Sequence, residues 1–377
     1  LSPGTETQVE SDEDDFETDT SNSDIDLGKL VYDSSYDLQY AKEFSIDYYH
    51  DDNNKYALIT IGSGQDNQYF LKCIDGELEE TLDLSDNICL LDDLDNTYLV
   101  STSVMDLIVR IDALSYIKFT GTDANNWYIS EAKAAINEGT ISYAGKYSSP
   151  DFEMLVAKAC NFAIENTMIY HSPEIKEKLE EVGIPVLVER SSYEDNPLGR
   201  LEWVKLYGLL YDKLELAEAF FDDQVQRANA VLNLDDTGKS VAFFSINSNG
   251  QIVVRKNNDY ISTMIEMAGA DYVPENLGER ESNLATLKIS AEDFYIGAVD
   301  ADVLIYNSTI TGEVTSINQL LTEMPSLADF KAVKEGNVYC LKQGYFQMSG
   351  DVAEFIEGLH NILIGENPQT DCFIRVE

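Results

Sequence analysis

The fold class follows first from residues 209–237, which read LLYDKLELAEAFFDDQVQRANAVLNLDDT and contain neither glycine nor proline. Apolar residues recur here and just upstream at intervals of three or four, the spacing of one face of an α-helix. They are Leu206, Leu210, Leu214, Ala217, Phe221, Val225 and Ala228. A fully helical stretch of this length spans about 43 Å at about 1.5 Å per residue. We therefore expect a connecting helix over residues 213–236, long enough to join two lobes.

Short apolar runs alternate with amphipathic stretches on both sides of this helix. The pattern predicts strands at 98–101, 168–170, 185–188, 241–246, 303–306 and 338–341. Helices are expected between them at 105–114, 173–182, 261–268 and 317–324, with a terminal helix at 352–364. Such alternation predicts an α/β fold of two βα lobes with mainly parallel sheets, joined by a single long α-helix. The lobes are expected at residues 30–212 and 237–377. Three strands at 44–49, 56–61 and 69–74 open the first lobe as a meander.

The first 29 residues hold ten acidic residues and one lysine. Their few apolar side chains cannot offset the entropy lost on ordering, so we expect a disordered acidic tether over residues 1–29. Two interpretations stay open. The segment is a plain tail, or it follows a lipid-modified cysteine ahead of residue 1 that anchors the protein to the extracellular face of the cytoplasmic membrane.

The charge of the chain excludes one class of partner. Sixty-nine acidic residues against 25 basic ones give a formal net charge of −44. Such a field repels phosphodiesters, so we expect no nucleic acid partner. Five cysteines without a Cys-x-x-Cys spacing suggest neither a disulfide framework nor a zinc knuckle.

Motifs typical of enzymes are absent from the sequence. Three histidines occur, and none forms a His-Glu-x-x-His pair; there is also no Gly-x-Ser-x-Gly elbow. Gly238-Lys239-Ser240 resembles the end of a phosphate-binding loop, but Asn233 stands where that loop needs its first glycine. We expect no catalysis, no catalytic or metal-ligating residues, and no intrinsic cofactor.

Two glutamates occupy equivalent positions in the two halves. Glu153 follows Ser149 and Glu292 follows Ser290, so each is expected in the first turn of a helix with a serine N-cap. Each also precedes an apolar strand of its own half. A carboxylate there complements the helix dipole by roughly 0.3–1 kcal/mol, which is the structural interpretation of both residues.

Several segments together resemble a known family. In the first half they are Gly145-Lys146-Tyr147-Ser148-Ser149-Pro150-Asp151-Phe152-Glu153, Met168-Ile169-Tyr170 and Gly183-Ile184-Pro185-Val186. In the second half they are Ala268-Gly269-Ala270-Asp271-Tyr272-Val273, Ser290-Ala291-Glu292 and Val333-Lys334-Glu335-Gly336-Asn337-Val338-Tyr339. Their order over roughly residues 95–360 resembles the solute-binding proteins of ABC transporters for ferric siderophores, haem and cobalamin, the class III periplasmic binding proteins with a helical backbone.

The resemblance implies a receptor rather than an enzyme. It implies a shallow cleft between the lobes, a small hinge motion, a monomer, and a membrane permease of an ABC importer as partner. Glu153 and Glu292 match the family's two exposed glutamates, which form salt bridges with permease arginines. Two departures stand out: Gly269-Ala270 replaces the usual pair of glycines, and the acidic N-terminal part lies outside the common region.

Ligands of βα lobes bind beyond the carboxyl ends of the strands. Residues expected there are Ser103, Tyr170, His171, Arg190, Tyr193, Tyr345 and Phe346, with Trp127, Lys146 and Tyr147 at the rim. Arg200 and Arg255 are further candidates, because rare cations in an acidic chain suit an anionic ligand. A ferric siderophore is the first choice and haem or a corrinoid the next. His171 is either a haem-iron ligand or, more commonly for a lone histidine, a hydrogen-bonding residue.

Two other classes of function compete with the receptor. A chelatase-like enzyme on a related two-lobed scaffold needs a buried His/Glu metal site in the cleft. A surface adhesion or scaffolding module needs no cleft lined by Tyr, Trp and Arg. Binding of an iron chelate or a tetrapyrrole separates both classes from a receptor.

Overall fold

The N-terminal boundary of the folded part lies before residue 30. The computed structural model describes residues 25–62, 64, 66–76, 82–277 and 285–377. Residues 1–24 of the expected tether lie outside the described residues. Within its last five, Ile25 and Leu27 pack beside the buried side chains of Leu58 and Leu71. Ile25 and Leu27 therefore make folded contacts, because an apolar surface is available to their aliphatic side chains.

An N-terminal sheet contains the expected meander and extends it on both sides. Its strands are β1 (Val31–Ser35), β2 (Phe44–His50), β3 (Lys55–Ile61), β4 (Gln68–Asp75) and β5 (Ile88–Leu91). Strands β1 to β4 pair antiparallel in that order, and β5 runs parallel to β4. Side chains alternate between faces, so Ile46 and Ile59 enter the main core while Leu58 and Leu71 form a smaller cluster on the other face.

The first βα lobe is built on an all-parallel sheet. Its elements are β6 (Thr97–Leu99), α1 (Thr102–Arg110), β7 (Ile117–Thr120), α2 (Ser130–Asn137), β8 (Ser142–Tyr143), the hairpin strands β9 (Gly145–Lys146) and β10 (Ser149–Pro150), α3 (Phe152–Ala157), β11 (Phe162–Glu165), α4 (Pro173–Glu181) and β12 (Val186–Val188). Short 3-10 helices lie at Leu114–Tyr116, Ala124–Asn126, Thr167–His171 and Ser191–Tyr193. The strand order is β12-β11-β6-β7-β8.

The strand expected at 168–170 is wrong. Strand β11 ends at Glu165, and residues Thr167–His171 form a 3-10 helix. The side chain of Asn166 accepts a hydrogen bond from the Met168 backbone N–H, which turns the chain out of the sheet. Met168 and Tyr170 are consequently exposed rather than buried between strands.

Two helices lie in and just before the glycine-free and proline-free stretch, and the second occupies most of the connecting helix expected over residues 213–236. They are α5 (Pro197–Leu210) and α6 (Leu214–Leu232), and they pack side by side as a hairpin. The break falls at Asp212, which has a positive φ of 56°. Helix α6 is the connector to the second lobe. It ends at Leu232, four positions before the expected residue 236, with Asn233 as its C-cap.

The second lobe contains the remaining elements. They are β13 (Lys239–Ile246), β14 (Ile252–Arg255), α7 (Tyr260–Met267), β15 (Ala270–Val273), β16 (Thr286–Ile289), α8 (Ala291–Ala298), β17 (Val303–Asn307), α9 (Ser308–Thr311), α10 (Ile317–Glu323), α11 (Lys331–Glu335), β18 (Val338–Leu341), α12 (Val352–Leu363) and β19 (Phe373–Arg375). Two 3-10 helices lie at Pro325–Asp329 and Gln343–Gln347.

The sheet of the second lobe is mixed. Strand β13 pairs parallel with β15 and β17, and β17 pairs parallel with β18. Strands β14, β16 and β19 join it antiparallel. The two-lobed α/β architecture is confirmed, but the expectation of parallel pairing holds only for the centre of this sheet. Its antiparallel strands are four residues long or shorter, which leaves little periodicity to detect.

Buried charges attach the N-terminal sheet to α5. The Glu202 carboxylate accepts hydrogen bonds from the backbone N–H groups of Gln39, Tyr40 and Ala41, and from Lys205 Nζ at 2.8 Å. Lys72 Nζ donates to the last carbonyl oxygens of α5, those of Leu209 and Leu210, at 2.9 Å. These bonds satisfy groups that a helix end and a loop otherwise leave to water.

We expect Glu202→Gln to destabilise the protein by about 3 kcal/mol. Lys205 and Glu202 are almost fully buried, and breaking a buried ion pair from one side costs about 3–5 kcal/mol. The glutamine amide keeps one acceptor oxygen, so we expect a loss at the lower end of that energy range. Urea unfolding measures the change. Glu218→Gln is the control, because Glu218 bonds Tyr36 of the same N-terminal part from a half-buried position; an equal loss in both variants contradicts the prediction.

The two lobes share a core and several polar contacts. One apolar cluster includes Leu99 of the first lobe, Leu206 of α5 and Phe355 of α12. Arg110 Nη2 lies 2.5 Å from Asp351 Oδ1 of the other lobe. The shared core and the contact between Arg110 and Asp351 favour a small relative motion of the lobes. In the described part of the chain, no helix is long and apolar enough to cross a membrane, and the five cysteines are free.

Candidate functional site

A cavity of about 480 Å³ opens between the two lobes. On the first lobe it is lined by the 3-10 helices that follow β11 and β12, which contribute Tyr170, His171 and Tyr193. On the second lobe it is lined by residues around the start of α7. Arg200 of α5 and Phe346 complete the lining and also border a smaller recess of about 40 Å³. The site thus lies where ligands of βα lobes are expected.

Two arginines and one tyrosine form the cationic part of the cavity. The guanidinium carbon of Arg200 lies 3.9 Å from the ring centroid of Tyr260, and that of Arg255 lies 5.6 Å from the same centroid. Within the described ranges, no carboxylate lies within 4.0 Å of Arg200. Its charge is therefore available to a ligand.

The positive charge of Arg255 is only partly neutralised by a nearby carboxylate. Its Nη1 atom lies 3.6 Å from Oδ1 of the fully buried Asp259, too far for a good hydrogen bond. Among the described residues, Arg255 Nε and Asp259 Oδ2 are buried without a hydrogen-bond partner. Unpaired buried polar atoms are costly, so their presence at a cavity wall suits a site that a ligand completes.

A third arginine lies behind the first-lobe wall. Arg190 Nε lies 2.8 Å from Glu43 Oε2, and its guanidinium carbon lies 4.5 Å from the Tyr193 ring centroid. The Arg190 guanidinium also lies near the hydroxyl of Tyr170. Desolvation raises the pKa of Tyr170, and the nearby Arg190 opposes that rise. Arg190 thereby links two cavity-lining tyrosines to the N-terminal part of the chain.

The structure brings together most of the residues expected at the site. Six line the larger cavity: Tyr170, His171, Tyr193, Arg200, Arg255 and Phe346. Tyr345 lines the smaller recess, and Arg190 contacts two of the lining tyrosines.

Four expected residues lie elsewhere. Trp127 is 2% exposed in the main core, where its indole N–H donates to the Thr122 carbonyl, so its expected position at the rim is wrong. Ser103 hydrogen-bonds Glu189 at 3.2 Å and does not line either cavity. Lys146 is exposed on the β9–β10 hairpin, and Tyr147 packs against the core cluster of the first lobe. The local sequence shows the polarity of these residues but not the direction of their side chains.

Three contributors were missed: Asp259, Tyr260 and Glu43. The first two follow β14, a four-residue strand that the pattern did not reveal. A search for ligand-binding residues just after each predicted strand therefore missed Asp259 and Tyr260. Asp259 caps α7 through a bond from the Ile261 N–H, and an Asn-Asn-Asp run before an apolar stretch was the available signal. Glu43 comes from a distant part of the chain and had no local signal.

The two paired glutamates are exposed in the first turns of α3 and α8. Ser290 caps α8 as expected, accepting from the Asp293 N–H. The N-cap of α3 is Asp151 rather than Ser149, which lies in β10. Each helix precedes a central parallel strand, β11 or β17. Because such a helix runs antiparallel to that strand, Glu153 and Glu292 both lie at the cleft side of their lobes.

Two α/β lobes that enclose a cationic, aromatic cavity define a solute-binding receptor. Residues 112–345 match the family described as periplasmic binding protein, and the chain belongs to that family. The family is one of solute-binding proteins rather than enzymes, which confirms the expectation of no catalysis. Its members act in the periplasm or outside the cell.

Relatives and solved structures agree with this assignment. "Uncharacterized lipoprotein MJ0878" of Methanocaldococcus jannaschii is 26% identical over 336 residues, which cover 82% of this chain and 77% of the relative. A periplasmic haem-binding protein from Pseudomonas aeruginosa superposes with a TM-score of 0.58 at 18% identity, covering 75% of this chain and 98% of the other. A periplasmic binding protein from Veillonella parvula gives a TM-score of 0.59 at 16% identity, covering 82% and 99%. These structural likenesses establish the fold alone.

Proposed function

We propose that the chain is the substrate receptor of an ABC importer and that it binds an anionic iron complex, a ferric siderophore, in the interlobe cavity. The observation that carries the proposal is the Arg200–Tyr260–Arg255 cluster, in which Arg200 has no carboxylate partner among the described residues. In a chain of net charge −44, an arginine without a carboxylate partner is a rare cation whose charge is available to an anionic ligand.

The chemistry of the lining suits a large anion with aromatic or apolar parts. Arginine offers a planar set of donors that matches carboxylate and chelate oxygens in pairs. Tyr170, Tyr193 and Phe346 also line the cavity and provide aromatic surface for a ligand. In the described part of the chain, no group of three or more His, Cys, Asp and Glu side chains gathers to hold a metal ion. We therefore propose that the iron binds as a preformed chelate.

The test is a set of binding titrations with purified protein. Ferric siderophores, haemin and cobalamin are added separately while tyrosine and tryptophan fluorescence and the visible spectrum are followed. We expect saturable quenching with a ferric siderophore, because five tyrosine and phenylalanine side chains lie in or beside the cavity. Failure of every iron chelate and tetrapyrrole to bind contradicts the ligand assignment.

Haem is a second candidate because His171 and Tyr170 are adjacent on the cavity wall. An imidazole and a phenol are both common ligands of haem iron. If haemin binds, His171→Ala is expected to change the Soret band while His360→Ala does not, since His360 is buried and its ring bonds the Ala268 carbonyl. An unchanged Soret band in His171→Ala excludes this histidine as the iron ligand.

The permease partner is proposed to contact Glu153 and Glu292. We expect Glu153→Ala combined with Glu292→Ala to abolish uptake, at least about tenfold, and to leave ligand affinity within about twofold, because exposed carboxylates outside the cavity pair with partner cations. Uptake and ligand affinity are measured on the same variants.

The matched control is Glu174→Ala with Asp300→Ala, which removes two exposed carboxylates, one from each lobe. Equal loss of uptake in both pairs attributes the effect to net charge alone. A large loss of affinity in the first pair places its glutamates at the ligand site instead.

We further propose that a lipid anchor ahead of the acidic N-terminal part holds the receptor at the extracellular face of the cytoplasmic membrane.

A further inference from the structure

The N-terminal part of the chain reaches the ligand cavity through one side chain. Glu43 lies immediately before β2, outside the region matched to the family. Its backbone N–H donates to Glu194 at 2.9 Å and its carbonyl accepts from Gly62 at 2.8 Å, so its position is held from both sides. The Glu43 carboxylate lies 2.8 Å from Arg190 Nε.

This ion pair is shielded from water. The exposed fraction of the side chain is 20% for Arg190 and 15% for Glu43. Arg190 also contacts Tyr170 and Tyr193, which line the cavity wall. A charge this close to the wall and this little screened acts on any ligand in the cavity.

The three arginines of the site differ in how closely a carboxylate pairs with their positive charge. Arg190 is paired with Glu43 at good distance, Arg255 is loosely paired with Asp259 at 3.6 Å, and Arg200 has no carboxylate partner in the described ranges. The wall therefore offers less positive charge than its arginines suggest. Glu43 accounts for part of that reduction, because its carboxylate lies 2.8 Å from Arg190 Nε.

We propose that Glu43 is a specificity-determining residue that sets how negative a bound iron complex can be. It is a positioning residue, since it acts on the ligand through Arg190 and through the field at Tyr170 and Tyr193. With Glu43 present, the receptor selects complexes of low negative charge and disfavours highly charged ones. This inference rests on the proposed function, because it concerns the ligand of the same cavity.

Glu43→Gln tests the proposal with two probes of different charge. A ferric tris(catecholate) is trianionic, because three dianions surround the trivalent iron, and a ferric tris(hydroxamate) is neutral. The variant is expected to bind the trianionic complex about tenfold more tightly than the wild type does, since freeing one arginine is worth about 1.4 kcal/mol. Affinity for the neutral complex is expected to stay within about twofold. The gain is expected to fall as salt is raised.

Two companion variants separate charge from structure. Glu218→Gln removes the same charge from a hydrogen bond to the N-terminal part, at Tyr36, outside the cavity, and is expected to change neither affinity. In Glu43→Gln with Arg190→Gln the gain for the trianionic complex is expected to disappear. Equal changes for both probes, or an unchanged trianionic affinity, overturn the proposal while leaving the receptor intact. If the wild type binds no iron complex at all, the proposed function falls and this inference with it.

Discussion

Replacing Arg200 and Arg255 together with glutamine should weaken binding of the iron complex by about 100-fold to 10,000-fold. Hydrogen bonds to charged groups contribute about 1.5–3 kcal/mol each, so the loss of two such partners is about 3–6 kcal/mol. Each 1.4 kcal/mol is a factor of about ten in the dissociation constant. Both arginines contact the ring of Tyr260, so the two substitutions remove one continuous cationic surface. Fluorescence titration of the complex gives the change.

Glutamine is chosen because it keeps a polar donor beside the buried Asp259. Urea unfolding of the double variant checks that the fold persists. The control is Arg375→Gln with Lys334→Gln, which removes two exposed cations whose bonds go to carbonyl oxygens far from the cavity. Equal weakening in the two double variants shows a general field effect and contradicts a specific arginine site.

Glu165→Gln should stabilise the protein at pH 8 by as much as about 5 kcal/mol and have little effect at pH 4. Glu165 ends strand β11, has no exposed surface, and neither carboxylate oxygen has a partner among the described residues. Desolvation raises the pKa of Glu165 from its ordinary value near 4.5 to about 8. The folded state therefore keeps this proton through a range in which the unfolded chain releases it.

The sign follows from proton linkage. A folded-state pKa above the unfolded value contributes stability below pH 4.5, and that contribution is lost as the pH rises to about 8. At about 1.4 kcal/mol per pH unit the loss sums to about 5 kcal/mol. Glutamine resembles the protonated acid and does not titrate. The free energy of unfolding of the variant therefore lacks the pH dependence that Glu165 causes.

Urea unfolding of both proteins between pH 4 and pH 8.5 measures the difference. Glu177→Gln is the control, since Glu177 is exposed in the middle of α4 in the same lobe. Parallel stability curves for the wild type and Glu165→Gln refute the prediction, because they show that the buried carboxyl titrates alike in the folded and unfolded states.

The architecture was predictable because long periodic segments carry it. The strands at 303–306 and 338–341 and the helix at 352–364 were expected within one residue of their observed bounds. Strand β14 was missed because its four residues alternate between buried and partly exposed positions, whereas the equally short β18 is a fully buried apolar run. The apolar run of Met168 and Tyr170 reads as a strand, yet the Asn166 cap directs it to the cavity.

Site residues that follow a strand could be predicted from the sequence. Residues that are placed by contacts with distant parts of the chain could not. Tyr193 lies after β12 as predicted, whereas Tyr170 and His171 line the cavity from the 3-10 helix after β11 and not from the strand expected at 168–170. Trp127 has the size of a ligand-stacking residue, but packing places it in the core. In a chain with 69 acidic residues, nothing local marks Glu43, Glu165 or Glu202 as the carboxylates that folding buries. Their environments are created by elements more than a hundred residues away in two of these cases.

The attachment of the N-terminal sheet to α5 also has a consequence for biosynthesis. Lys72 bonds the carbonyl of Leu209, 137 positions later, and Tyr40 bonds Glu202, 162 positions later. At a translation rate of about 5–20 residues per second, the ribosome needs roughly 10–30 s to supply α5. During that interval the apolar face of β2 and β3 has no cover. Strands β2 and β3 therefore complete their packing only once α5 has been synthesised.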